Sequence, residues 1–517
     1  MTPEWDVTIV GCGPVGAFAA NLLGRAGLRV LVLDRDAAPY ALPRAVHVDH
    51  EMLRLLADAD LLAPLEDLLL PADGHLHIGA DHGVIRYLSA AGKPRPFGYA
   101  NDYFFYQPEL EAVLRAGLAR YPNVTLRLRC EVTGLEVLGD QARLALAGGE
   151  SINTRWVLGT DGARSTVRKA LGVTLDDLDF EEPWLVVDAE VDGPISFPAL
   201  SGVAEGANLQ RLSVMMCDPA RPATIVPGRG NHRRWEFMLL PGEDDAQMSR
   251  PETVAALVAP WVQGAEHRII RAATYRFHGL VATDWRVGPV LLAGDAAHQT
   301  PPFFGQGMCH GLRDVANLVW KLELVLAGKA DSSLLDSYQT ERDAQVRHVI
   351  GKAIEAGKYI CVLDPEEATA RDARVRAQQD IRTAAELIAP IASDLVGAGA
   401  GERFINPVAR EDGALLDAVT GGGWVLLSHG EAALSAEAAA VLARLGARQL
   451  VMDRDVADPE GHLAAWLDAR EAAHVLLRPD FYTAALAAGA PQMSAEITRL
   501  GRALRLAQPA AAQAATS

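Results

Sequence analysis

The stretch DVTIVGCGPVGAFAANLLGRAGLRVLVLDRD, residues 6–36, constrains the fold more than any other part of the chain. An apolar strand runs into Gly11, Gly13 and Gly16 in G-x-G-x-x-G spacing, a small-residue helix follows, and a second apolar strand ends at Asp34. This order predicts a βαβ unit of a doubly wound parallel sheet, with a dinucleotide pyrophosphate at the helix N-terminus. Gly11 permits the tight turn, Gly13 lets the pyrophosphate approach the backbone, Gly16 lets helix and strand pack closely, and Asp34 is placed to hold a ribose hydroxyl. A lone G-x-G-x-x-G is weak evidence; the strand before it, the helix after it and the acid about 20 residues on give it meaning.

Two further runs share this strand-to-turn character. In LLAGDAAHQTPPFFGQGMCHGLRDVANLVWKL, residues 291–322, an apolar strand ends at Gly294 and Asp295, where ligands of open α/β sheets bind. Asp295 is placed to accept hydrogen bonds from a polyol, and Gly305 and Gly307 leave room for a planar ligand such as a flavin ring. A helix expected from about Gly311 points its amides at an anionic reduced ring. In WVLGTDGARSTVRKALG, residues 156–172, another strand meets Asp161 and Gly162.

Composition sets bounds. The 517 residues suffice for two or three domains, since single cores rarely exceed about 250 to 300 residues. Lys plus Arg number 48 against 66 Asp plus Glu, and the net charge of −18 argues against nucleic acid or an anionic membrane as partner. No apolar run approaches the roughly 20 residues of a membrane span, and no basic leader precedes the first strand, so a cytoplasmic protein is expected. The five cysteines are scattered without C-x-x-C, which suggests neither a zinc site nor a disulfide framework. His75, His77 and His82 read as a surface loop and strand edge rather than a metal site, and no metal is expected.

The three motifs, in this order and spacing, resemble the single-component flavoprotein aromatic hydroxylases of the para-hydroxybenzoate and phenol hydroxylase family, over about residues 5–350. Within that family PRAVHVDHEMLRLL (43–56), FFYQPELEAVLR (104–115), RRWEFMLLPGE (233–243) and LLDSYQTERDAQV (334–346) are most similar to 3-(3-hydroxyphenyl)propionate hydroxylases. The resemblance implies an α/β fold: a Rossmann-like FAD-binding domain of glutathione-reductase type at 1–173 and 287–390, with a helical extension, and an inserted β-rich substrate domain at 174–286. It also implies a thioredoxin-like C-terminal domain at 400–506; lacking C-x-x-C, that domain is expected to serve packing or oligomerisation, with homodimerisation left open. The tail 507–517 is expected to be disordered. GAGAGE near Gly397 lacks a strand before it and an acid after it, so there is no second dinucleotide domain.

Site residues follow from the resemblance only where motifs match. Gly11, Gly13, Val15 and Gly16 would meet the FAD pyrophosphate, Asp34 and Arg35 the adenosine end, Arg44 and Gln107 the phosphates and ribityl region, Asp161 and Gly162 the second turn, and Asp295 the ribityl chain. Pro301, Pro302, Gly305, Gly307 and Met308 would line the isoalloxazine, and Pro301 also the substrate; Cys309 stands where relatives often carry Asn. His47 is the candidate proton relay to the phenol, a partly buried structural histidine being the alternative. Trp235, Phe237 and Leu239 alternate onto one face of a strand, as walls of the ring pocket or as sheet core. Arg211, Arg233 and Arg234 read as solvated strand ends, with a clamp on a substrate carboxylate as the alternative.

The implied chemistry is a monooxygenation. NAD(P)H reduces FAD, reduced FAD traps O2 as a C4a-hydroperoxide, and its distal oxygen passes to a phenolic ring ortho to the hydroxyl. The expected substrate is a 3-(3-hydroxyphenyl)propanoate-type acid. Alternatives are the same chemistry on a bulky polycyclic or polyketide phenol, and a non-enzymatic flavin-binding redox sensor. A flavin halogenase is disfavoured because the W-x-W-x-I-P signature is missing.

Overall fold

The fingerprint strand Trp5–Val10 lies in the middle of a parallel sheet. The computed structural model describes residues 3–42, 44–90, 92–378 and 388–507. Parallel strands run in the order Val290–Leu292, Ser151–Gly159, Trp5–Val10, Val30–Leu33 and Val124–Arg127. All four residues of Val30–Leu33 are buried, the pattern of a strand covered on both faces. The helix Pro14–Arg25 starts on Pro14, whose fixed φ suits a first turn. The helix Gly307–Leu326 crosses close to it, because a Cβ on Gly311 would stand 2.4 Å from Val15 Cγ2. Gly311 therefore serves helix packing, and the helix begins four residues earlier than its sequence suggests.

A second sheet has eight strands, in the order His298–Gln299, His267–Ala282, Leu175–Val191, His232–Met238, Ala223–Pro227, Leu212–Met216, Gly74–Ile78 and Val84–Ser89. The segment 74–89, expected as surface loop and strand edge, is thus part of this sheet, joined by parallel pairing of Gly74–Ile78 with Leu212–Met216. The reason is visible in GHLHI: alternation sends Leu76 and Ile78 into one core and His75 and His77 to the other face. The outer face carries Leu76, Ile78, Leu185, Val187, Trp235 and Phe237 under the helix Pro251–Val262. The inner face turns toward the first sheet's domain, where Trp184, Met215 and Met238 join the main core.

A small third sheet decides the site. His47–Asp49 pairs antiparallel with Asp102–Phe105, which also pairs with Leu69–Pro71. Beyond the long helix Asp336–Ile360 and the helix Pro365–Ala377, the C-terminal unit has a four-stranded sheet, Arg448–Val451, Val425–Ser428, His474–Leu477 and Thr483–Ala487, with one parallel pair and two antiparallel ones. Helices Ala436–Leu445 and Ala490–Ala503 pack on it, as in a thioredoxin-like fold. Residues 379–387 of the expected helical stretch and 508–517 of the expected disordered tail lie outside the described residues. No helix among the described residues is long and apolar enough to cross a membrane.

Candidate active site

The three fingerprint glycines do three different things. Gly11 has φ +97°, and a Cβ there would stand 2.6 Å from the Thr160 carbonyl oxygen; on Gly16 it would stand 1.9 Å from that of Gly11. A Cβ on Gly13 would meet no atom within 4 Å, so this residue alone presents bare backbone to a ligand. Val15 packs its side chain against Gly294 and Gly311, and only its backbone is left for a pyrophosphate. Asp34 accepts the Cys12 N–H at 2.8 Å and the Asp36 N–H at 2.9 Å, with Arg115 at 3.3 Å; it holds the turn at the point where a ribose would arrive. Arg35 is exposed, 4.0 Å from Asp36.

Gln107 departs from its expected place against the cofactor. Its Oε1 accepts the N–H groups of Arg44 (2.9 Å) and Ala45 (2.6 Å), and its Nε2 donates to Glu111 at 2.6 Å, so it shapes the loop that presents Arg44. The Arg44 guanidinium is exposed and lies 4.6 Å above the Tyr40 ring. Asp161 accepts the N–H groups of Thr166 (2.7 Å) and Val167 (3.1 Å) and fixes the second turn, while Gly162, at φ +80°, has open space beside it. Asp295 is exposed, yet protein atoms crowd around it; that desolvation raises its carboxyl, opposed by His298 and Arg44. A carboxylate so placed fits a polyol chain lying in a cleft.

The turn after Asp295 is anchored from behind. Phe303 meets Phe180, Trp184 and Phe277 of the second sheet with ring centroids 5.9 to 6.2 Å apart. Pro301 is buried and Pro302 and Met308 half-buried; Gly305 takes φ +62°, and a Cβ there would lie 2.8 Å from His47 Nδ1. Gly307 opens the long helix with open space beside it, and Gln306 gives no side-chain cap, so first-turn amides remain for an anionic ring. Cys309 is buried, its Sγ 3.9 Å from the Gly305 carbonyl oxygen, and burial pushes the thiol up. These open glycines, amides and the crowded Asp295 fit FAD along the whole run from Gly11 to Gly307.

His47 is buried at this turn. Its Nε2 bonds Asp102 Oδ1 at 2.8 Å, and its Nδ1 lies 3.4 Å from the Gly305 carbonyl oxygen. Burial alone would lower the imidazole, but the bond and charge of Asp102, with Cys309 adding, hold it well above the ordinary value of 6.5. Desolvation works against the Asp102 carboxylate, and His47 outweighs it and keeps that carboxyl low. His75 Nε2 lies 3.9 Å from Asp102 Oδ2, and its ring centroid is 6.1 Å from that of His47. Polar atoms of His47, His75 and Asp102 all lie within 4.8 Å of one another. His77 bonds Tyr359 and His82 pairs with Asp218 at 3.2 Å, so the H-x-H run contributes one histidine, His75, to the site.

Asp102 and His75 escaped sequence reasoning because strand pairing across 55 positions brings Asp102 to His47; the alternation of GHLHI was the one available signal for His75. The expected ring walls are corrected by the same alternation. Trp235, Phe237 and Leu239 belong to the outer core under Pro251–Val262, and the residues that alternate with them, Arg234, Glu236 and Met238, face inward. The arginines are engaged: Arg211 with Asp73 at 2.9 Å, Arg234 with Asp188 at 2.9 and 3.1 Å, and Arg233 with the His232 carbonyl at 2.7 Å.

Comparison with known proteins agrees with this geometry. Residues 4–353 match the FAD binding domain family, and residues 401–502 match the HcaD C-terminal domain. A probable NADH-specific resorcinol 4-hydroxylase of Rhodococcus jostii strain RHA1 is 33% identical over 95% of this chain and 93% of its own length. A 3-(3-hydroxy-phenyl)propionate/3-hydroxycinnamic acid hydroxylase of Burkholderia vietnamiensis strain G4 is 32% identical over 95% of this chain and 97% of its own. Among solved structures, the flavin-dependent monooxygenase PieE superposes with a TM-score of 0.79 at 22% identity, covering 97% of this chain and 100% of that one, a likeness of fold. The chain belongs to the FAD binding domain family and is an FAD-dependent, NAD(P)H-consuming aromatic hydroxylase.

Proposed function

We propose that the enzyme adds one hydroxyl to a single-ring phenol, ortho to the hydroxyl already there, with the phenol oxygen at His47 Nδ1. The observation that carries this reading is the buried His47–Asp102 pair at 2.8 Å beside the Gly305 turn. FAD, once bound and reduced by NAD(P)H, supplies the activated oxygen. The chain's own residues do the rest. A phenol has an ordinary pKa near 10, so at neutral pH it needs a base to become the more nucleophilic phenolate. In the free imidazole, whose share grows as pH rises because, against burial, Asp102 holds the ring's pKa high, His47 Nδ1 takes that proton, and Asp102 on Nε2 orients the ring and pairs with the imidazolium that forms, as third members of catalytic triads do. Pro301 and the turn after it form one wall and the inner face of the second sheet the other, shielding the ring from water.

The relatives' names support the substrate class. They mention resorcinol, 3-(3-hydroxyphenyl)propionate and 3-hydroxycinnamic acid, all phenols with a substituent meta to the hydroxyl. NADH is the reductant in the name of the first, and it is the nicotinamide we assign to this enzyme, in a cytoplasmic setting that supplies it. The test is substrate-stimulated NADH oxidation in air with product identification, in wild type and His47→Ala. The variant should lose about 100-fold or more in hydroxylation while keeping its FAD. Unchanged coupled turnover would remove His47 from the mechanism.

A further inference from the structure

Glu236 stands on the inner face of the second sheet, in a cross-strand row with Thr224, Met215 and His77. Protein crowds its carboxyl, yet 14% of the side chain stays accessible. It accepts no hydrogen bond among the described residues; the nearest charge, Arg234, lies 3.9 Å away and is bound to Asp188 at 2.9 and 3.1 Å and to the Arg44 carbonyl at 2.6 Å. One strand across and two residues along, Val226 packs on Phe104, whose ring centroid is 6.4 Å from that of His47. The inner face that carries Glu236 thus meets the small sheet that carries His47 through Val226 and Phe104.

A half-buried carboxyl that accepts no hydrogen bond among the described residues, with its one charged neighbour 3.9 Å away, has room for a donor. Resting on the phenol hydroxylation proposed above, we infer that Glu236 selects the group meta to the reacting hydroxyl: a second, uncharged hydroxyl, as in a benzene-1,3-diol, in preference to the carboxylate of an arylpropanoate. A diol donates its second O–H to the Glu236 carboxyl and satisfies it. An arylpropanoate brings a second carboxylate to this wall, and like charges in a desolvated site oppose one another. The arginines of the neighbouring cross-strand row, Arg234 and Arg271, both turn to the Asp188 carboxylate, at 2.9 and 3.9 Å.

The experiment compares resorcinol, 3-methylphenol and 3-(3-hydroxyphenyl)propanoate with wild type, Glu236→Gln and Glu236→Leu, all holoenzymes matched for FAD content. It reads kcat/KM for product formation and the Kd from perturbation of the flavin spectrum. Wild type should prefer resorcinol to 3-methylphenol by about 100-fold, since a site built to bond a hydroxyl rejects the analogue lacking it. That ratio should collapse in Glu236→Leu. In Glu236→Gln, which keeps size and hydrogen bonding but removes the charge, propanoate should gain about tenfold relative to wild type. A wild-type preference for the propanoate, or equal loss of all three substrates in both variants, would overturn the role of Glu236 while leaving phenol hydroxylation standing. Bound FAD with no product from any of the three would overturn the phenol reading, and this inference with it.

Discussion

Gly13 and Gly16 are three residues apart, and their replacement should fail in two different ways. Gly13→Val adds a side chain where no protein atom lies within 4 Å, so the variant should fold and purify without yellow colour. Gly16→Val would drive its Cβ to 1.9 Å from the Gly11 carbonyl oxygen, so it should lose the fold along with the flavin; circular dichroism and FAD absorbance separate the two. At His47 the sign of the pH effect follows from Asp102. The free imidazole is the working base, so kcat/KM rises with pH through the His47 pKa, which Asp102 holds above its ordinary value against the opposing effect of burial. In Asp102→Asn that support is gone, the imidazole falls, and the acid limb of the profile should move to lower pH while the maximum drops at least about tenfold. A limb that stays in place would mean that Asp102 does not tune His47.

Among the secondary-structure elements, the strand His232–Met238 shows how alternation assigns roles. Trp235 is fully buried among Val187, Ile225 and Val258 on the outer face. Trp235→Ala should therefore cost about 3–5 kcal/mol in chemical denaturation, with substrate Kd little changed. Thr224, its diagonal neighbour on the adjacent strand, faces inward. Thr224→Leu should weaken substrate binding by about tenfold or more through lost space, leaving the denaturation midpoint nearly in place. The reverse outcome would return Trp235 to the ring wall. The helix Gly307–Leu326 serves two ends, since its first turn opens at Gly307 onto free space and its later turns enter the core between both halves of the chain.

Across the full chain, buried charge ties in the C-terminal unit. Arg478 donates to Glu341 at 2.7 and 2.8 Å and to Asp480 at 3.0 and 2.6 Å, and Lys321 of the flavin-side helix reaches Glu341 at 2.8 Å. Arg54 bonds Asp417 at 2.5 and 2.7 Å, and Glu51, held by Arg313 at 2.7 Å, also takes Arg403 at 3.0 Å. Removing one member leaves buried carboxylates without their partner, so Arg478→Met should lose about 3–5 kcal/mol and uncouple the two units in denaturant. A single unchanged transition would show that apolar packing alone holds them together. These contacts join the C-terminal unit to the rest of the chain.

The cofactor half was legible in the chain before any fold was known. Fingerprint, second turn and Asp295 strand are local runs whose spacing dictates a backbone shape, and the structure builds them where their periodicity and glycines required. The thioredoxin-like unit came from the family resemblance, and of the second sheet the runs within 174–286 were legible by period while residues 74–89, read as loop and strand edge, joined it through pairing. The substrate wall, the partner of His47 and the start of the long helix came instead from packing in three dimensions. Which face of His232–Met238 meets the ring depends on where the helix Pro251–Val262 lands, and alternation alone fits either choice. Asp102 reaches His47 through antiparallel pairing, and His75 through a parallel pairing with Leu212–Met216, contacts between segments tens to more than a hundred residues apart that no single run encodes.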